Sequence, residues 1–291
     1  MTSRLLLLAG GLGCLGAAAG IGAIGPRARA TGEGAALGGL RTMLVDAWFL
    51  RAEALRRAGR VDELPALYRR ILEADPDSES AIDYLVDVEA NDLRTLAPTP
   101  RARVAWWDEA DALLTRALSK RPGSARLSYR AAQLRLGPAS LDDAVVAEWK
   151  RRGTDVRLDA FRFLADAVEG TPSLGRAGRV HLDLFASFAP VLAAECLVAK
   201  RPVLDEVLAR SRRLLRLRVA DLSDFTFDAR EGAPTAAEVL FGGLGLVETM
   251  RDLLGRDPPK AAEAGRVLDL YVAKVGRDAV VTTLEPLLPG R

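Results

Sequence analysis

The sequence predicts an all-α protein, and three observations lead there. Alanine, leucine and arginine dominate, aromatic residues make up 5% of the 291 positions and β-branched residues are sparse, a composition that favours helix. Apolar residues recur at helical spacing between glycine and proline breakers. No stretch alternates with period two for long enough to form a strand. About 260 residues follow an apolar leader, enough for one large or two modest domains with a real core.

The leader comes first. Leu5 to Gly25 is uncharged and almost wholly apolar, about 31 Å as a helix, roughly one bilayer core. Gly11, Gly13 and Gly16 form a G-x-G-x-x-G pattern with Glu33 downstream. A dinucleotide turn needs a stable helix after the glycines, and Gly20, Gly22, Gly25 and Pro26 disfavour one. A basic start at Arg4, an apolar middle and Ala28-x-Ala30 match an export signal instead. Residues 1–30 are therefore expected to be a signal peptide or a single-span membrane anchor. The A-x-A triplet favours cleavage after Ala30; the length of the run favours retention. Lipidation at Cys14 fits poorly, because Gly11 stands where leucine is usual. Gly16 and Gly20 have the spacing of a close membrane-helix contact, in a segment where glycine is common throughout. Arg4 faces Arg27 and Arg29 across the span, so charge leaves the orientation open.

Charge and cysteine use narrow the remainder. Three of the 41 basic residues and none of the 39 acids lie in the leader, leaving a net charge of −1. That excludes the electrostatic footprint of a general nucleic-acid binder. Cys196 is the one cysteine after the leader; it offers no intramolecular disulfide and reads as a small buried hydrophobe.

After a linker at 31–41, "VDAWFLRAEALRRAGRVDELPALYRRILEADPDS" begins at Val45. Trp48, Ala52 and Leu55 follow a helical period, Gly59 stops the first helix, and Leu64, Leu67, Tyr68, Ile71 and Leu72 form a second stripe that Pro76 ends. Pro65 sits near the second helix's start, where its missing N–H is tolerated. On Trp48, Ala52, Gly59, Tyr68 and Pro76 this stretch resembles a tetratricopeptide repeat, a helical hairpin of about 34 residues. Leu64 and Ile71 depart from the pattern, which has alanine at both places. A lone hairpin cannot bury its apolar side, so one repeat implies neighbours. "ESAIDYLVDVEANDL" supplies a next first helix, and Ala110, Ala117, Leu118 and Pro122 a second, with "RTLAPTPRARVA" expected as a loop inserted between them. A third unit opens at "ARLSYRAAQLRL", where Ala131 and Ala132 offer a close-packing spot. The resemblance covers 42–137 and implies a right-handed α-solenoid.

From 138 to 291 the repeat pattern fades into a divergent or capping region, but helical periodicity persists. Helices are expected near 140–151, 156–169, 176–199, 203–219, 235–255, 260–275 and 277–288, separated by Gly153, "EGTPSLG", Pro202, "REGAP", "GRDPP" and Gly276.

Motifs for chemistry are sparse. His181 is the single histidine; along one helix it would lie about 22 Å from Cys196, too far for a dyad. No zinc, P-loop or nucleophile-elbow pattern is present, and no cofactor is expected. Asp108–Glu109 and Asp142–Asp143 read as acids at helix starts. "ARSRRLLRLR" at 209–218 is the densest basic run: a contact for acidic lipid or partner, or a solvated face paired with Asp205, Glu206, Asp221 and Asp224. "FGGLGLVETM" at 241–250 reads as close helix packing rather than phosphate binding.

The expected function is a non-enzymatic protein-interaction scaffold, exported or membrane-anchored. In the family it resembles, first helices line a concave groove that holds a peptide or helix. That resemblance places Asp46, Phe49, Glu53 and Arg56 in the groove from the first unit, Asp83 and Asp87 from the second, and Tyr129 and Gln133 from the third. The family's lysine–asparagine clamp for a C-terminal carboxylate is missing. The alternatives are an envelope-associated hydrolase acting through carboxylates and a purely structural envelope subunit. Trp48 is expected between the helices of the first unit, and Phe49 on the groove or against the incoming "GGLRTML".

Overall fold

The computed structural model describes residues 32–171, 176–223, 235–256 and 260–288; the leader expected at 1–30 lies outside the described residues. Among the described residues every regular element is a helix and no strand occurs. The chain divides into two compact units, one ending at Leu96 and the other beginning at Ala97.

In the first unit, α1 (Gly32–Arg57) turns through a short 3₁₀ segment (Val61–Glu63) into α2 (Leu64–Ala74). Gly59 permits the turn. With φ at 71°, it lets Arg60 N–H donate to Leu55 O and Gly59 N–H to Arg56 O, satisfying the last carbonyls of α1. α3 (Glu79–Asp87) starts at Ser78, whose hydroxyl accepts from Ala81 N–H. It runs on through a π-helical turn (Val88–Leu93) and a final helical turn (Arg94–Leu96). Ala52, Leu64, Ile71, Ala81 and Val88 are almost completely buried and form the core.

Three sequence expectations change here. The stretch read as a linker is helical from Gly32, so "GGLRTML" is part of α1 and cannot fold back over Phe49. Trp48 is half-buried rather than buried. α2 has 11 residues and spans only about 16 Å, so it reaches back just to the turn that holds Trp48, while Ala52 and Leu55 take the interior. The expected inserted loop shrinks to three residues, 97–99. Thr99 caps the next helix by accepting from Ala102 N–H at 3.2 Å, and Pro100 occupies the first helical position, where its missing N–H is harmless.

The second unit comprises α4 (Pro100–Lys120), α5 (Ala125–Leu136), α6 (Asp143–Arg152), α7 (Val156–Gly170), α8 (Arg176–Val198), α9 (Leu204–Leu217), α10 (Val219–Ser223), α11 (Ala236–Arg256), α12 (Ala261–Val275) and α13 (Ala279–Leu284). Ser124, Asp142, Asp155 and Asp278 cap α5, α6, α7 and α13 through their side-chain oxygens. Asp142 thus has the helix-start role read from sequence. Asp108 and Glu109 do not: they sit in the middle of α4, and Asp108 takes two hydrogen bonds from Arg152 on α6, at 2.7 and 2.8 Å.

Ion pairs between helices fix their directions. Arg162–Glu206, Arg210–Asp166 and Arg213–Glu169 all join residues 44 apart, so α7 and α9 run parallel and in register. Arg103–Asp142 and Arg152–Asp108 make α4 and α6 parallel too. Such pairings of alternate helices are what stacked hairpins produce. The order ends at α11: Arg212 pairs with Glu248 and Arg251 with Asp205, which makes α9 and α11 antiparallel. From there α8 takes the centre, packing against α7, α9, α11 and α13. The C-terminal part is therefore a bundle around one helix, not a nearest-neighbour stack.

Residues Arg179–Val198 of α8 are long and apolar enough to cross a membrane. Their apolarity has an internal use: Phe185, Ala186, Ala189, Leu192, Ala193, Ala194 and Cys196 all lie in the core. α11 approaches α8 through glycine. A Cβ on Gly243 would fall 2.7 Å from the Pro190 Cβ, so "FGGLGLVETM" serves close helix packing.

Candidate functional site

The clearest concavity with chemical character lies in the first unit. α1 presents Asp46, Phe49, Glu53 and Arg56 along one stripe, at the three- and four-residue steps that share a helix face. α2 adds Tyr68 and α3 adds Tyr84. Together with Leu50 they line a cavity of about 530 Å³, within the usual ~300–1,000 Å³ of small-ligand sites. All four α1 residues expected in a groove line this one cavity.

Its floor is aromatic. Phe49 lies 6.3 Å from both Tyr68 and Tyr84, ring centre to ring centre, and the two tyrosines stack at 5.8 Å. Such spacings are favourable for ring pairs. Tyr68 is buried, whereas Tyr84 is 41% exposed and Leu50 74% exposed. Burial pushes the Tyr68 hydroxyl above its ordinary range, opposed by the nearby positive charge of Arg56.

Arg56 is committed to its surroundings. Its guanidinium lies 3.6 Å from the Asp87 carboxylate, and its charge opposes the upward shift that burial imposes on Asp92. Its Nη2 is covered from solvent. Asp87 also accepts from Asn91 at 2.9 Å, inside the π-helical turn. Glu53 bonds Arg57 at 2.9 Å on the exposed face, and Asp46 is exposed. Asp83, expected beside Asp87, is buried in α3.

Tyr129 and Gln133 belong to the second unit. They lie one turn apart on α5, and the Tyr129 ring sits 4.2 Å from His181. Thr171 donates to Ala167 O at 2.7 Å, and its oxygen lies within hydrogen-bond distance, 3.2 Å, of His181 Nδ1. Burial lowers the His181 pKa. The arrangement reads as a packed interior histidine. Cys196 is fully buried and burial pushes its thiol up to about 11, which makes it inert.

Arg210, Arg212, Arg213 and Arg218 of the basic run are paired, mostly with acids far away in sequence. Arg210 and Arg213 pair on α7 with Asp166 and Glu169, and Arg212 pairs with Glu248 on α11. Of the acids expected from sequence, Asp221 pairs with Arg218, and Asp224 lies outside the described residues. A second concavity, of about 580 Å³, separates α4 from α6. Arg151 and Arg152 hold its Glu148 carboxyl down at about 2, and Arg152 also binds Asp108, so these charges are largely paired with one another. No cluster of three or more potential metal ligands occurs among the described residues.

Sequence reasoning missed Tyr68 and Tyr84 as site residues. Each falls on an apolar stripe and reads as core. The available signal was that both stripes carry a phenolic ring, a group that keeps one polar edge toward water. Set against protein-family models, curated proteins and solved structures, the chain matches none of them.

Proposed function

We propose that the protein is a non-enzymatic interaction module that holds a peptide or helix of a partner protein against the first unit. The carrying observation is the α1 stripe: Asp46, Phe49, Glu53 and Arg56 line one cavity with an aromatic floor and an exposed apolar rim at Leu50. An apolar anchor ringed by charge is the usual anatomy of a partner hot spot. In this reading 42–137 consists of divergent tetratricopeptide-like hairpins, and residues 1–30 export the chain or tether it to a membrane.

The test is site-specific photocross-linking in cells, with p-benzoylphenylalanine in place of Leu50. A second chain carries it in place of Leu270, which is 71% exposed on α12. Discrete adducts from position 50 that disappear with Phe49→Ala support the groove. Equal adduct patterns from both positions refute it.

A further inference from the structure

Resting on that reading of the first-unit cavity, we infer that its occupant is a protein segment that presents an arginine or lysine side chain beside apolar residues. The chain itself shows how it builds such contacts. Arg135 lies 4.6 Å from the Phe163 ring and bonds Asp111 at 2.9 Å. Arg157 lies 5.1 Å from the Phe188 ring and bonds Glu195 at 2.8 Å. Arg212 lies 5.9 Å from the Phe241 ring and bonds Glu248. Each is a trio of guanidinium, ring and carboxylate. The cavity has the rings of Phe49 and Tyr84 and the carboxylates of Asp46 and Glu53, but its own cation is turned to other partners.

Arg56 is drawn away from the trio by the Asp87 carboxylate, 3.6 Å from its Nη1. Its Nη2 is covered and its Nη1 faces Asp87, which leaves less of its charge for a ligand. Arg57 bonds Glu53 only through an exposed pair one turn along α1, and such pairs are worth little. An incoming cation displaces it at small cost. A ring face beside desolvating apolar surface then strengthens the attraction, and Leu50 supplies that surface for the residues flanking the cation.

The experiment uses the full chain in a neutral detergent and fluorescein-labelled peptides that alternate leucine with arginine, citrulline or glutamate, read by anisotropy. Arginine should bind about tenfold more tightly than citrulline, its uncharged isostere, with glutamate weakest. The double variant Asp46→Asn, Glu53→Gln should abolish that preference, and both sites are exposed, so its melting temperature should not move. Tyr84→Leu should weaken the arginine peptide severalfold while Tyr84→Phe keeps it. Citrulline binding as tightly as arginine overturns the inference yet leaves the groove standing on its cross-links. Arginine binding that survives Phe49→Ala unchanged places the peptide elsewhere and overturns both.

Discussion

Replacing Gly243 with alanine should destabilise the protein, while the same change two residues away should stabilise it. Both glycines lie inside α11, so both gain up to about 1 kcal/mol of helix propensity. At Gly245 nothing lies within 4 Å of the new Cβ, so that gain stands. At Gly243 the new Cβ falls 2.7 Å from Pro190 Cβ and 3.1 Å from its Cγ, about 1 Å inside normal carbon contact. The proline ring is locked to the α8 backbone, and its neighbours Ala189 and Leu192 are fully buried, so neither side can yield cheaply. Overpacking of this kind costs about 1–3 kcal/mol. The two variants should then differ by about 2 kcal/mol, or roughly 4–8 °C in melting temperature for a unit of this size. Far-ultraviolet circular dichroism of the full chain in one detergent measures the difference. A Gly243→Ala protein melting at or above the Gly245→Ala protein would show that α8 and α11 do not meet through glycine.

Other perturbations follow from the packing. Trp107→Ala removes a buried indole that donates to Leu134 O at 3.3 Å and meets the Trp149 ring edge-on at 5.2 Å. It should cost about 3–5 kcal/mol in a denaturant titration, and a loss below about 1 kcal/mol would remove Trp107 from the core. Burial holds His181 below its ordinary 6.5, so the unfolded chain takes up a proton that the folded chain resists. That stability is complete above the unfolded value and declines as pH falls through it toward the lower folded one. The melting temperature should therefore drop between about pH 7.5 and about pH 5.5, and His181→Gln should flatten the slope; parallel slopes would assign the drop to other groups. A chain starting at Thr31 should leave the membrane fraction that holds the full chain, and equal solubility of both would reject the targeting role of the leader.

Helix boundaries were largely legible in the sequence because their causes are local. Gly153 ends α6 through its left-handed backbone and Pro202 follows the turn at Lys200 that closes α8, and α7 and α8 fall within a residue of the periods read for them. Pro98 and Pro100 misled for the same reason: both signal a break, but Pro100 also starts a helix once Thr99 caps it. The stripe of Asp46, Phe49, Glu53 and Arg56 was visible because it is a property of one helix. Tyr68 and Tyr84 reach it only through the α2–α3 pairing, and Asp87 meets Arg56 across 31 positions of chain. The acids opposite the basic run lay equally out of reach, 36 to 44 residues away. Contacts that depend on which helices become neighbours are not written in any window of sequence.

Those distant acids explain how a chain of near-uniform alanine–leucine stripes selects one register. Apolar stripes of this kind attract at any offset, since one leucine buries about as well as the next. Between α7 and α9 the charges do not. In the observed register Arg162 meets Glu206, Asp166 meets Arg210 and Glu169 meets Arg213. Sliding α9 by one turn in one direction sets Arg162 against Arg210. Sliding it in the other sets Asp166 against Glu206. Each pair is at least partly exposed and adds little stability in its native place. Its larger effect is on the alternatives, where a one-turn slip replaces three attractions with one attraction and one like-charge contact. Burial thus holds the helices together and the arginine–carboxylate ladder decides where they stop, a division of labour that lets a core so poor in distinctive side chains pack in one way.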